Sequence, residues 1–197
     1  MTNRTALSKI HPTLVLDYRD AKSFILTFVF VSLNIFTPWL AHQFHLAGAS
    51  FLPMHFFALT AGLLFGWRAG LITGFSSPLL SYAVSDMPPL HLLAQVTAEL
   101  SSYGLAAGIL REKARLPIVW SLTGAMVAGR IALFLTMLAV QFSSGSVHGV
   151  AGPESTPLSA LYGAVKQGLP GIALQLLLIP LLTMLASTVL WRHDPAN

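Results

Sequence analysis

The sequence predicts an all-α integral membrane protein, a compact bundle of six transmembrane helices with both termini in the cytoplasm. Three observations predict it. Of the 197 residues, 54% are apolar and only 9% are charged, which is not the balance of a soluble globule. Apolar runs near the length a bilayer requires, about 20 residues for a hydrocarbon core of about 30 Å, recur along the chain. Lysine and arginine gather beside alternate ends of those runs, as they do on the side retained in the cytoplasm.

The opening stretch, "MTNRTALSKIHPTLVLDYRD", is polar and of mixed charge, and the apolar run after it lacks a small-x-small cleavage site. Residues 1–22 therefore read as a cytoplasmic N-terminal segment rather than a cleaved signal peptide. The first helix is expected over 23–41. The segment Leu52 to Val84 is too long for one span and short for two, and small residues recur through it at every fourth position: Ala58, Gly62, Gly66, Gly70 and Gly74.

Charge decides the count. As two helices, 52–66 and 69–84, turning at "GWRAG", the segment puts Arg4, Lys9, Arg19, Lys22, Arg68, Arg111, Lys113, Arg115 and Arg192 on one side, nine of the eleven Lys and Arg residues. The opposite loops, 42–50, 85–89 and 142–159, then contain none. A single helix would split the basic residues between both faces. Each of the two helices rises only about 23 Å, so both need shelter from longer neighbours.

Three further helices are expected over 90–110, 117–141 and 167–190. The stretch "SSGSVHGVAGPESTPLSA" between the last two is rich in Gly, Ser and Pro and breaks the helical pattern. Pro170 and Pro180 predict kinks or a broken start in the final helix. No internal repeat is present, and residues 1–197 read as one membrane domain.

Several function classes are excluded. Cysteine is absent, which removes disulfides, thiolate metal sites and a cysteine nucleophile. The net charge of +4 is dispersed between apolar runs, not gathered on one face, so nucleic acid is not an expected partner. No HExxH, GxSxG or Walker-type GxxxxGK[ST] occurs. A protein of this kind that moves solutes actively must borrow its ATPase.

Three sets of residues could carry chemistry. Glu99 and Arg130 fall within predicted spans, each about eleven residues from the cytoplasmic end of its helix, so their depths match. An arginine at mid-bilayer costs at least about 2.5 kcal/mol and should face protein, so the two are expected to pair, as a packing device or as part of a ligand site. His42, His45, His55, His91 and His148 all map to the outer half, with Met54 and Met87 beside them. Imidazole can ligate metals or the metal of a tetrapyrrole, and His42, His45 and His55 are the candidates; polar residues suited to an interface explain the same bias. Asn34, Trp39, Ser81, Tyr82, Asp86 and Gln95 complete a possible pocket for a small planar or polar solute. The spacings Gly62–Gly66, Gly70–Gly74 and Gly104–Gly108 are GxxxG, which lets helices approach closely in lipid, for packing within the chain or docking of another subunit.

The stretches "LPMHFFALTAGLLFGWRAGLITGFSSPLLSYAVSDMPP", "AELSSYGLAAGIL" and "SLTGAMVAGRIALF", in this order and with six helices, resemble the substrate-binding S components of energy-coupling factor (ECF) transporters, vitamin-uptake members of the ABC class. The resemblance implies a multi-pass protein of a bacterial or archaeal cytoplasmic membrane that captures a vitamin-like solute at its outer face. It implies a transmembrane coupling subunit and two cytoplasmic ATPase subunits as partners, with no cofactor of the chain's own. It places the solute among 42–55, 81–91 and 142–159, with Pro53, Met54, His55, Asp86, Met87, Pro88 and Pro89 borne by the motifs. The first helix departs from the family, having no clear AxxxA pair for docking. Cobalamin, a haem-like chelate or pantothenate would each suit the His and aromatic content. An intramembrane enzyme using Glu99 or His55 as acid or base, and a membrane subunit that only packs, are the alternatives.

Overall fold

The computed structural model describes residues 21–43, 53–145, 147–149, 152–154 and 156–191. Helix α1 (Ala21–Gln43) is followed by α2 (Pro53–Ser85), α3 (Leu90–Glu112) and α4 (Ile118–Ser144). Strands β1 (Val147–Gly149) and β2 (Gly152–Glu154) and the long helix α5 (Pro157–Trp191) complete the order.

Helix α2 consists of two limbs. Gly66 within it has φ 85 and ψ 177, a backbone region essentially restricted to glycine. In a straight helix Gly62 and Gly70 would stand about 12 Å apart, yet a Cβ placed on Gly70 would come within 2.8 Å of the Gly62 Cα. The limbs therefore run side by side in opposite directions. Gly66, grouped by its spacing with the packing glycines, makes the reversal itself. Beside it the Trp67 N–H donates to Glu112 Oε2 at 3.2 Å, which puts a carboxylate at the N-terminus of the second limb, where the helix dipole favours it. Arg68 and Lys113 lie over the Trp67 ring at 4.8 and 5.1 Å.

Helix α3 packs against both limbs by direct backbone contact. A Cβ on Gly104 would overlap the Gly70 carbonyl, one on Gly74 the Leu100 carbonyl, one on Gly108 the Trp67 backbone, and one on Gly62 the Gly104 carbonyl. This order makes the second limb antiparallel to α3. Helix α4 crosses the other side of α3, with Gly124 beside Leu110 and Gly129 beside the Tyr103 ring. The main core joins Leu59 and Leu63 of α2, Tyr103 and Ala107 of α3, Leu122 and Ala125 of α4 and Ile179 of α5. A second cluster joins Leu133 and Met137 to Ala160 and Ala164. Phe30 of α1 sets its ring edge against Phe65 at 5.2 Å.

Among the described residues, three helical stretches are long and apolar enough to cross a membrane: Met54–Ser85, Ile118–Ser144 and Pro157–Thr183, with a shorter apolar helix over Phe24–Thr37. Helix α3, counted as a span from its sequence, is not among them, because Gln95 and Glu99 lower its apolar content and turn inward, where both are buried. Large apolar side chains such as Phe28, Trp120, Leu135 and Leu177 are exposed on α1, α4 and α5, as on a surface that meets lipid tails.

Two further sequence expectations need correction. Helix α5 starts at Pro157, not near Gln167, because Thr156 caps it: the Ser159 N–H donates to Thr156 Oγ1 at 3.2 Å, and proline is pre-set for the first helical position. It continues through Pro170 and Pro180. The loop before it is shorter than expected, and β1 pairs antiparallel with β2, Val147 opposite Glu154 and Gly149 opposite Gly152. This hairpin is the departure from an all-α chain among the described residues. Helix α4 ends just before it at Gly145, whose φ of 70 is the left-handed conformation glycine supplies at helix ends.

Candidate functional site

Helix directions define two ends. The ends of α1 and α4, the turn between α2 and α3, and the start of α5 lie with the β-hairpin at one end. Gly66 and the α3–α4 turn lie at the other. Of the long polar side chains buried among the described residues, Asn34, His55, Gln95 and Glu99 lie in the hairpin half, and Gln175 lies past the middle of the apolar stretch of α5. The buried groups of the opposite half are chiefly glycine backbones and hydroxyls, several of which bond their own helix, as Thr183 does to the Ile179 carbonyl at 2.8 Å.

Glu99 is the hub. Arg130 Nη1 lies 2.9 Å from Glu99 Oε1, and the Tyr103 hydroxyl donates to the same oxygen at 3.1 Å. His55 Nε2 lies 3.4 Å from Glu99 Oε2. The His55 and Tyr103 rings meet edge to face at 5.1 Å. Three elements supply the cluster: the start of the first α2 limb gives His55, α3 gives Glu99 and Tyr103 one turn apart, and α4 gives Arg130. Gly129 makes room, since a Cβ there would come within 2.6 Å of the Tyr103 ring.

The cluster is not saturated. Arg130 Nη2, both His55 nitrogens and Gln95 Nε2 are buried without a hydrogen-bond partner. Gln95 lies one turn from Glu99 on α3, on the same face. A second polar contact ties α1 to the second limb: Asn34 Nδ2 donates to Ser77 Oγ at 2.9 Å, and Ser77 Oγ donates to the Thr73 carbonyl at 2.6 Å. Asn34 Oδ1 remains buried and unbonded.

These observations, a membrane bundle with a polar, incompletely bonded region toward one end, agree with a comparison against protein families. The model of the family described as "ECF transporter, substrate-specific component" matches residues 21–183. The chain belongs to this family. No curated protein and no solved structure matches the chain. The protein is therefore a substrate-specific, multi-pass membrane subunit of the ECF transporter class.

In this ECF substrate-specific component the sequence candidates divide. His55, Glu99 and Arg130 come together, Gln95 is buried one turn from Glu99 on α3, and Asn34 and Ser81 are buried on the neighbouring elements. Tyr82 is half-buried, while Asp86, Met87 and His91 are exposed near the α2–α3 turn and Trp39 is exposed near the end of α1. Met54 is half-buried. His45 lies outside the described residues, as do the side chains of His42, Pro53 and His148. Among the described residues no group of three or more His, Asp or Glu side chains is placed to hold a metal; His55 faces Glu99.

Sequence reasoning missed that His55 joins the Glu99–Arg130 pair, that Glu112 meets the Trp67 N–H, and that Gly129 seats Tyr103. Only the Gly129 role left a trace, a small residue directly before a buried arginine in "VAGRIA".

Proposed function

We propose that the protein is the high-affinity capture subunit of an ECF-type transporter. It takes a vitamin or vitamin-like micronutrient, such as pantothenate, cobalamin or a haem-like chelate, from the outer face of a bacterial or archaeal cytoplasmic membrane. Uptake is driven by ATP through a transmembrane coupling subunit and two cytoplasmic ATPase subunits. The observation that carries this reading is the asymmetry of the buried groups, with long polar side chains toward the hairpin end and close glycine packing toward the Gly66 end. The hairpin end is then the outer one, both termini are cytoplasmic, and the two limbs of α2 with the other four helices make six spans. His55, Gln95 and Asn34 form the deeper wall of the solute site. Ser81, Tyr82, Asp86, Met87 and His91, toward the α2–α3 turn, and the sequence candidates of 42–54 and His148 complete the proposed site. The enzyme reading is less well supported, because Glu99 Oε1 is already engaged by Arg130 and the Tyr103 hydroxyl.

Capture makes a direct prediction. A solute at 100 times its Kd adds about 2.7 kcal/mol to the stability of the purified protein, which a thermal shift across a panel of vitamins and chelates will register. Absence of any shift across that panel would remove the main support for capture. Orientation is tested separately. Because the chain has no cysteine, Arg68→Cys is the sole label site, and a membrane-impermeant maleimide applied to intact cells should leave it unmodified. Efficient labelling from outside would reverse the assignment of the two ends.

A further inference from the structure

The unbonded groups around Glu99 narrow the class of solute. We propose that the site recognises a carboxylate on the solute, held by Arg130, Gln95 and His55; this rests on the capture reading above. More than nine in ten buried polar groups in native proteins have a partner, so several orphans within about one helical turn of a single residue mark something missing. What is missing is an acceptor. Arg130 Nη2 and Gln95 Nε2 can only donate, and both are buried and unbonded. His55 Nδ1 is likewise unbonded, while its Nε2 is directed at Glu99 Oε2, 3.4 Å away. Glu99 cannot answer all of them, since its Oε1 already serves Arg130 Nη1 and the Tyr103 hydroxyl.

Geometry and capacity favour a carboxylate over a single carbonyl. The guanidinium is a planar fork with one arm on Glu99 and the other free, and such forks match two-oxygen acceptors. One carbonyl oxygen has two lone pairs, whereas a carboxylate offers about four acceptor sites, enough for Arg130, Gln95 and an N–H of His55 together. The Arg130 charge is already matched by Glu99, and His55 stands beside Glu99 as a further hydrogen-bonding side chain. Glu99, Tyr103 and Arg130 are the titratable groups that face it. Glu99 acts here as a positioning residue, fixing Arg130 so that Nη2 is presented to the solute.

The test uses the full chain purified in detergent and pairs of solutes that differ at one group: pantothenate with panthenol, biotin with biotinamide, and nicotinate with nicotinamide. Thiamin, riboflavin and cobalamin serve as members without a carboxylate. A carboxylic acid is expected to bind, with its neutral partner about 10- to 100-fold weaker, the worth of a charge-assisted hydrogen bond. Arg130→Lys keeps the charge beside Glu99 but lacks the fork, and Gln95→Leu removes a donor that has no partner in the unliganded protein. Each should weaken the acid about 10-fold while leaving the melting temperature of the unliganded protein near that of the wild type. Equal affinity for an acid and its neutral partner, or tight binding of a carboxylate-free solute that ignores Gln95→Leu, overturns the carboxylate assignment and leaves capture standing. No binding by any member, together with no small molecule released when the purified protein is denatured, overturns both.

Discussion

Glu99→Gln is expected to destabilise the protein by about 3–5 kcal/mol, the usual cost of removing one member of a buried ion pair. Glu99 is only 4% exposed, and its loss leaves the Arg130 guanidinium without a counter-charge among its recorded contacts. Moving charge to the bundle surface is not open to Arg130, because its Nη2 is itself buried. Arg130→Gln should cost less. The carboxylate it leaves behind keeps the Tyr103 hydroxyl at 3.1 Å and His55 at 3.4 Å, either of which offsets part of the lost interaction. The double variant, with both charges gone, is expected to be more stable than the sum of the two single losses implies, since neither orphan charge remains. Melting curves of the purified single and double variants check this. Strict additivity, or a milder loss for Glu99→Gln than for Arg130→Gln, would show that the three side chains do not act as one unit.

The second large effect is steric. Gly104→Leu is expected to abolish recovery of folded protein, and Gly104→Ala to lower stability by at least the roughly 1–3 kcal/mol typical of an overfilled core. A Cβ at residue 104 overlaps the carbonyl oxygen and carbon of Gly70 and comes within 2.9 Å of its Cα. These are backbone atoms, and no rotamer change can clear them. Because the Gly104 carbonyl also faces Gly62, relief requires both limbs of α2 to move away from α3. Gly124→Ala is the internal comparison. Its Cβ would meet only the Leu110 Cδ1, at 2.7 Å, the tip of a flexible side chain, and its cost should be small. Size-exclusion profiles and melting temperatures of detergent-extracted protein give the order directly, and a Gly104→Ala protein that behaves like Gly124→Ala would refute the backbone-contact account.

Both arguments concern residues that the sequence singles out without supplying their geometry. Counting from helix ends put Glu99 and Arg130 at one depth because helical rise per residue is nearly constant. The same counting set His55 apart, near the outer end of a different helix. It joins them because the first α2 limb is much shorter than α3, so its start falls at the depth of Glu99, and limb length relative to a neighbour is not a local property of sequence. The glycines behave similarly. Their four-residue interval suggested a continuous stripe, and Gly62, Gly70, Gly74, Gly104 and Gly108 do face backbone, but Gly66 breaks the stripe with φ 85. A spacing rule cannot tell a glycine chosen for lack of volume from one chosen for its dihedral angles. The early start of α5 was obscured because the Gly-, Ser- and Pro-rich stretch before it reads as loop, whereas Thr156 and Pro157 open the helix within that stretch.

Composition, apolar run length and the distribution of charge were enough to determine a helical membrane protein and to mark Glu99 and Arg130 as residues that must face protein. Those properties follow from transfer free energies and chain periodicity, which act residue by residue. Charge placement also put a reversal at "GWRAG"; the tertiary structure alone decided that Gly66 makes it, that α3 packs against both limbs of α2, and that His55 and Arg130 meet at Glu99 with donors left over. Those outcomes depend on which backbones can approach one another and which side chains meet across three elements, and such contacts exist only once the whole bundle has packed.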